Sequence, residues 1–431
     1  MKERSGPDLL MLLESELQPS QGCTEPAAIA FTAALARKQA PEEAIRDVQI
    51  YASRNVIKNA YSVAIGGTGK KGIEAAAALG LCIAHPEAKL QILSYACEEH
   101  ISAAEKLAGS GMIKVHLADT PELLYIEVHL QTEHSFIKVI VSGHHTNVTS
   151  IEANGITLFS NSERDSKGES IDNPVAVSLE AIWQYISEAD INDLRIIKEA
   201  IRLNSSLAAE GSNKAFGLNV GKLSSQCNAV EDSGNNYINY TISLTASACD
   251  ARMGGSVLSA MSNSGSGNQG ITSTVPVVAV GELLGKNEDE IIRAVGLSNL
   301  VTIYIKSQFG RLSAFCGVTV ASIGAACGIA RLQGGTLETL KAIIQNMIGT
   351  STGMLCDGAK AGCALKVASC TYAAIQATNL ALRGVEIQAT DGIIESKVED
   401  SIRNFCTLAK EAGSKADELI LSMMLQKTLV H

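Results

Sequence analysis

Aromatic side chains are scarce in this 431-residue sequence: Phe, Trp and Tyr make up 4%, against 46% hydrophobic residues overall. A core without large rings must be filled by small and aliphatic side chains, and closely packed helices rich in Ala and Gly meet that need without any ligand. Long hydrophobic runs are also missing. The longest low-polarity stretch, Gly317 to Ala330, contains Thr319 and Ser322 and stops at Arg331, short of the ~20 residues of a membrane-spanning helix. The opening MKERSGPDLLMLLESE holds a five-residue apolar run before acidic residues return, too short for a secretory leader. Basic residues are in deficit, 35 against 45 acidic, for a formal net charge of −10. That balance argues against nucleic acid or an anionic membrane as partner. The expectation is a cytoplasmic globular chain of two domains.

Two familiar motifs are absent as well. Among eleven cysteines no C-x2-C pair occurs, which speaks against a structural zinc site, and a reducing compartment speaks against a disulfide framework. The segment IGGTGKKG at 65–72 is not a phosphate loop: Ala64 stands five residues before Gly69, and Lys70 is followed by Lys71 rather than Ser or Thr. It reads as a tight turn facing the active site, with Asn55, Lys58 and Asn59 near it in sequence. No internal repeat or low-complexity tract is found.

What is present is a set of thiols in glycine-bearing loops. Cys316 lies in GRLSAFCGV, and Cys356 and Cys363 lie in GMLCDGAKAGCALKV. A continuous helix from 356 to 363 would set the two Cα atoms roughly 10 Å apart along its axis, awkward for one small cofactor. Gly358 and Gly362 favour a looped segment whose free N–H groups can donate to sulfur. Spacing alone leaves open that all three are ordinary buried cysteines. Cys327 and Cys370, on apolar helical patterns, read as packing residues, and Cys82, Cys97, Cys227, Cys249 and Cys406 have no companion at ligand spacing.

A further thiol, Cys23, stands in PSQGCTEPA just before a helical pattern at 25–38, with Thr24 as N-cap and Pro26 in the first turn. A thiol at a helix N-terminus is expected to have a lowered pKa; the plain alternative is a small buried side chain at a turn. In Ser264-Gly265-Ser266-Gly267-Asn268-Gln269-Gly270, three glycines let the backbone approach an anion, and hydroxyl and amide groups add donors ahead of a helix. A polar loop without a ligand is the alternative there.

Helical spacing marks residues 7–16, and alternation marks a strand at 46–55. LQILSYA, MIKVHLA, LLYIEVHLQT, SFIKVIVSG and TNVTSIEAN between 89 and 152 alternate in the manner of strands. His144 and His145 fall in a polar turn and, as neighbours pointing apart, read as turn histidines. Phe159 to Asn173 reads as a linker, and from Val175 onward nearly everything is helical. The fold class is therefore α+β, with a mainly antiparallel sheet in the N-terminal half and a large all-α domain after it. The division falls into 1–174 and 175–431, with the Cys23 helix packed on the α domain.

GCTEP, CDARMGGSVLSAMSNSGSGNQGITSTVPVV, and LSAFC, MLCDG and CALKV together resemble the L-cysteine desulfidase family, over about residues 17 to 425. That family includes many uncharacterised bacterial proteins and is related to the alpha domains of iron–sulfur L-serine dehydratases. The resemblance implies a [4Fe–4S] cluster on Cys316, Cys356 and Cys363 with one iron open to substrate. It further implies Cys23 as base, and substrate binding by Ser264, Ser266, Gly267, Asn268 and Gln269. Asp250, Arg252 and Arg311 lie in matching motifs too, although structural ion pairs explain such residues equally well. Where the related serine dehydratases carry Ser-Ser-His-Thr, this chain reads Gln21-Gly22-Cys23-Thr24, which favours the desulfidase branch. The implied reaction is β-elimination of L-cysteine to pyruvate, ammonia and hydrogen sulfide. Alternatives are L-serine dehydration, a pyridoxal-phosphate lyase, for which no lysine is singled out, and a cluster-containing sensor without turnover. The partners expected are a small amino-acid substrate and at most a second copy of the chain in a homodimer.

Overall fold

The computed structural model describes residues 9–161, 177–226, 236–310 and 312–428. Arg311, Cys227 and residues 162–173 of the expected linker lie outside them. In chain order the first half runs α1 (Leu9–Glu16), β1 (Pro19–Gln21), α2 (Thr24–Gln39), β2 (Ile45–Ala52), α3 (Arg54–Ala60) and α4 (Ile73–Ile83). A 3-10 segment (Pro86–Tyr95) and α5 (Glu98–Gly109) follow, then β3 (Ile113–Leu117), β4 (Tyr125–Thr132), β5 (Phe136–Ser142), β6 (Val148–Ala153) and β7 (Ile156–Ser160). Beyond residue 177 come α6 (Leu179–Glu188), α7 (Arg195–Asn213), α8 (Val220–Ser224), α9 (Asn236–Met253), β8 (Ser259–Met261), α10 (Gly267–Leu283) and α11 (Glu288–Phe309). The chain closes with α12 (Gly317–Leu332), α13 (Leu337–Ser351), α14 (Cys363–Ala381) and α15 (Val398–Thr428). The fold class is α+β, with a mixed sheet in the first half and helices in the second.

The sheet has the order β3-β2-β4-β5-β6-β7. All its pairings are antiparallel except β2 with β3. Alternation puts Ile126, Val128 and Leu130 of β4 and Ile137 and Val139 of β5 on one buried face, with Val128 opposite Val139. The alanine-rich helices α2 and α4 cover that face. They cross at Gly80, where a Cβ would lie 2.1 Å from the Ala30 carbonyl oxygen, so small residues bring the two backbones into contact. The scarcity of rings in the sequence thus corresponds to a core of closely approaching backbones.

Two local expectations fail. LQILSYA lies in the 3-10 segment, whose course is broken by Lys89 at φ +48°. EEHISAAEKLAG, within the stretch read as strands, forms α5, burying Ala104 and half-burying Ile101 and Leu107 on a helical period. Short apolar alternation does not separate the two periods there.

The second core is helical, built around α10, α11 and α12, and the N-terminus contributes to it through Leu9, Leu13 and Leu17. After α1, β1 pairs antiparallel with β8, Pro19 opposite Met261 and Gln21 opposite Ser259. This short ladder delivers Cys23 to the loop that precedes α10. In return α15 reaches the first half: Leu421 enters its core, Arg54 pairs with Glu418 at 2.8 Å, and Lys58 pairs with Asp417 in a buried contact.

Candidate active site

Four helices begin at one cleft. Cys23 is the N-cap of α2, Ser266 of α10 and Cys316 of α12, while Cys363 is the first residue of α14. All four side chains line the cleft, together with Cys356. Helix N-termini carry unpaired N–H groups and partial positive charge, so the cleft favours anionic occupants. The N-cap at α2 is Cys23 itself, one residue earlier than the expected Thr24.

The loops bearing Cys316 and Cys356 are zipped together. Phe315 and Leu355 form an antiparallel bridge, the Cys316 N–H donates to the Met354 carbonyl at 2.8 Å, and the Cys356 N–H donates to the Ala314 carbonyl at 2.6 Å. Lys366 fixes the second loop from below, donating at 2.7 Å to both the Leu355 carbonyl and Asp357 Oδ1. The segment between Cys356 and Cys363 is a loop, as its glycines imply, closed by the Cys363 N–H on the Lys360 carbonyl at 2.9 Å. Burial, then the charge of neighbouring thiols, pushes the Cys316 thiol up; burial does the same for Cys363. Among the described residues no group of three His, Cys, Asp or Glu side chains is arranged to hold a single metal ion. Cys249 and Cys370 share an apolar cluster with the three thiols but do not line the cleft, and Cys370 Sγ donates to Met354 Sδ at 3.7 Å. Cys327 is buried in the helical core.

Ser264, Ser266, Asn268 and Gln269 also line the cleft, and the Gln269 amide packs against Gly317 beside Cys316. Ser264 and Gly265 both have left-handed backbone, φ +50° and +81°, in a turn closed by reciprocal Asn263 and Ser266 backbone bonds of 3.1 Å. Gly267 is not among the lining residues; a Cβ there would lie 2.2 Å from Nε of Arg252, which does line the cleft. Arg252 is buried, donating to Asn268 Oδ1 at 3.0 Å and to the Gly22 carbonyl at 2.7 Å. It thereby ties the Cys23 turn to the start of α10, rather than pairing with Asp250. Its Nε and the Oε1 of Gln269 are buried without a protein partner. Asp250 accepts the Gly221 N–H at 2.9 Å, and burial pushes its pKa up to about 6 despite backbone donors.

The environment of Cys23 reverses one expectation. Its thiol is buried and donates to Glu25 Oε2 at 2.9 Å. Burial, then the Glu25 charge, pushes its pKa well up, and the opposing field of Arg252 does not compensate. Helix position alone would have lowered it. Glu25 also accepts from Thr24 Oγ1 at 3.1 Å and Asn59 Nδ2 at 2.9 Å, and its Oε1 lies 4.0 Å from His145 Nε2. Burial opposes the charge on Glu25, but His145 first, then Cys23 and Asn59, outweigh it and hold the carboxyl at about 2.

Glu25, Asn59, His145 and Lys306 are cleft residues that the sequence did not single out as functional. His145 occupies the expected turn, yet its side chain is only 10% exposed. The sequence puts Asn59 near the turn at 65–72, and of the two only Asn59 lines the cleft. The turn packs behind it, where a Cβ on Gly66 would lie 2.8 Å from the Ser256 carbonyl oxygen.

Residues 87–422 match the family model described as serine dehydratase alpha chain. The matched span contains the three thiols and the loop before α10 but begins after Cys23 and Glu25. A UPF0597 protein of Clostridium perfringens (strain SM101 / Type A) is 43% identical over 419 residues, covering 97% of this chain and 98% of its own. UPF0597 proteins of Klebsiella pneumoniae and Oleidesulfovibrio alaskensis are 38% and 37% identical, each covering 96% of this chain and 97% of its own. No helix among the described residues is long and apolar enough to cross a membrane. Matched along most of its length, the chain belongs to the serine dehydratase alpha-chain family, together with the UPF0597 proteins.

Proposed function

We propose that the protein is an iron–sulfur-dependent lyase that eliminates the β-substituent of a small amino acid, converting L-cysteine to pyruvate, ammonia and hydrogen sulfide. The observation that carries this reading is the meeting of Cys316, Cys356 and Cys363 with Cys23 and the Ser264–Gln269 loop around one cleft. The donor set fits the cofactor. Three thiols on a glycine-bearing, backbone-pinned scaffold line a cleft into which four helix N-termini point. A [4Fe–4S] cluster bound to these thiolates would supply a Lewis-acidic iron for the substrate's leaving sulfur and carboxylate.

The chain's own residues supply the rest. The hydroxyls of Ser264 and Ser266 and the amides of Asn268 and Gln269 orient the substrate carboxylate and ammonium, and the free Oε1 of Gln269 suits the ammonium. Arg252 holds this loop and the Cys23 turn at fixed separation. Cys23 takes the Cα proton on Sγ, and loss of the β-substituent leaves an aminoacrylate that hydrolyses through its imine.

The family description favours a second reading, L-serine dehydration, in which hydroxide replaces hydrosulfide as leaving group. Anaerobic reconstitution followed by iron, acid-labile sulfide and pyruvate assays tests both. About four irons and four sulfides per chain are expected, with kcat/KM higher for L-cysteine than for L-serine. The opposite ranking selects the dehydratase. Zinc, or no metal after reconstitution, sinks the iron–sulfur reading, and amino-acid binding without pyruvate would point to a sensor.

A further inference from the structure

Cys23 and His145 approach opposite oxygens of one buried carboxylate. Cys23 Sγ lies 2.9 Å from Glu25 Oε2, and His145 Nε2 lies 4.0 Å from Glu25 Oε1. Thr24 and Asn59 donate one to each oxygen, so a half-turn of the carboxylate restores the same pair of bonds. Two anions 2.9 Å apart in a buried site are mutually excluded, so Cys23 and Glu25 carry a proton between them. Burial and the neighbouring carboxylate keep that proton on sulfur at rest. A thiol that is to accept a substrate proton must first lose its own, and the cleft must provide a way out. His145 lines the cleft and also an adjoining polar chamber walled by Ser20, Gln91 and His144.

We propose that Glu25 and His145 form a proton relay for Cys23, with the adjoining chamber as its outlet. The relay rests on the reading of Cys23 as the group that takes the substrate's Cα proton. The S–H bond of Cys23 breaks as an O–H bond forms on Glu25 Oε2. A half-turn about the two-fold terminal torsion of Glu25 carries that hydrogen to the imidazole side. His145 Nε2 makes no hydrogen bond across the 4.0 Å gap, so one bridging water takes the hydrogen from Glu25 as it gives one of its own to His145: the Glu25 O–H bond breaks and an N–H bond forms on the imidazole. The imidazolium then releases a proton to water in the chamber. The thiolate left behind accepts the Cα proton, and no electron changes owner. The carboxylic acid form of Glu25 is a transient, so the energetics are those of transfer from thiol to imidazole. Other charged groups facing this path are Arg252 of α9, near Cys23, with Lys306 of α11 and Lys366 of α14 along the cleft, and Glu16, Glu87 and Lys89 around the chamber. Glu25 and His145 act through Cys23 and are relay and positioning residues.

The test uses the full-length, anaerobically reconstituted protein. Glu25→Gln keeps the shape and the Asn59 contact but takes up no proton, and His145→Ala removes the outlet. Each should lower kcat about 10²-fold, the scale of a lost proton transfer, with KM little changed. Added imidazole should restore His145→Ala at least about tenfold while leaving Glu25→Gln, Cys23→Ala and the parent unaffected. In metal-free protein, iodoacetamide labelling of Cys23 mapped by mass spectrometry should reach half-maximum at lower pH in Glu25→Gln, because the carboxylate that holds the proton on sulfur is gone. Wild-type turnover in either variant, no rescue by imidazole in a variant with parental melting temperature, or an unshifted labelling profile overturns the relay. If His145→Ala does not fold, His145→Gln and the labelling profile carry the same test. Retention of substrate Cα–H exchange in Cys23→Ala would overturn the reading beneath it. Loss of exchange there, with exchange kept in Glu25→Gln and His145→Ala, would remove the relay alone.

Discussion

Gly358 sits against the carbonyl of Lys58: a Cβ built on it would lie 2.2 Å from that oxygen, and its φ of +93° belongs to glycine. The loop that carries Cys356 is therefore keyed to α3, whose next residue, Asn59, holds Glu25 beside Cys23. The Cys356 loop and the Cys23 turn share one clamp. Gly358→Ala should destabilise the protein by about 1–3 kcal/mol and lower the iron retained per chain. Denaturant midpoints and iron analysis check this; an unchanged midpoint with full iron would mean the loop is not clamped.

The assignment of the three thiols is tested one cysteine at a time. Cys316→Ala, Cys356→Ala and Cys363→Ala should each lose cluster and activity together, since removing one of three ligands leaves two irons without a protein ligand. Cys327→Ala and Cys370→Ala should keep both. Cys370 makes the stricter control, because it shares the apolar cluster with the thiols but not the cleft. Cluster loss in Cys370→Ala with retention in Cys316→Ala would reassign the ligands.

The α+β class was legible because β4 and β5 alternate cleanly and the second half runs at helical period. Between residues 86 and 109 it was not, because a left-handed Lys89 and a short amphipathic helix leave no distinctive period. The thiols stood out because Gly358 and Gly362 lie between Cys356 and Cys363, and Gly358 at φ +93° does break the helix there. His145 did not, because Glu25, which it approaches to 4.0 Å, lies in the first helical turn of α2, and only the packing of α2 on the sheet brings them together. The misjudged thiol pKa has a simpler cause. The helix N-terminus was located to within a residue, but Glu25, two positions on, turns its carboxylate onto the sulfur and outweighs the helix field.

Asp250 offers a pH signature. Its folded pKa of about 6 lies above the 3.8 of an unperturbed Asp, so between about pH 4 and 6 the folded state binds the extra proton. Stability from this group is then present at low pH and lost as pH rises through 6. Asp250→Asn keeps an oxygen for the Gly221 N–H and abolishes the titration. Its melting temperature should match the parent below pH 4, rise above it through pH 6, and hold a constant advantage beyond. A constant difference across the whole range would show that Asp250 does not titrate there.

Cys23 separates base from ligand. It is the N-cap of α2, while Cys316 and Cys356 come from loops pinned to one another and Cys363 begins α14. Cys23→Ala should therefore leave the cluster spectrum and melting temperature unchanged. Turnover should nevertheless fall about 10²-fold or more, the usual loss for a general base. Cys23→Ser should be nearly as poor. A serine hydroxyl holds its proton far more tightly than a thiol, and the burial and Glu25 charge that already push Cys23 up act on it as well. Loss of iron in Cys23→Ala would make this residue a fourth ligand, and full activity would make it a packing residue. Intact cluster with collapsed turnover in both variants is the outcome expected of the proposed base.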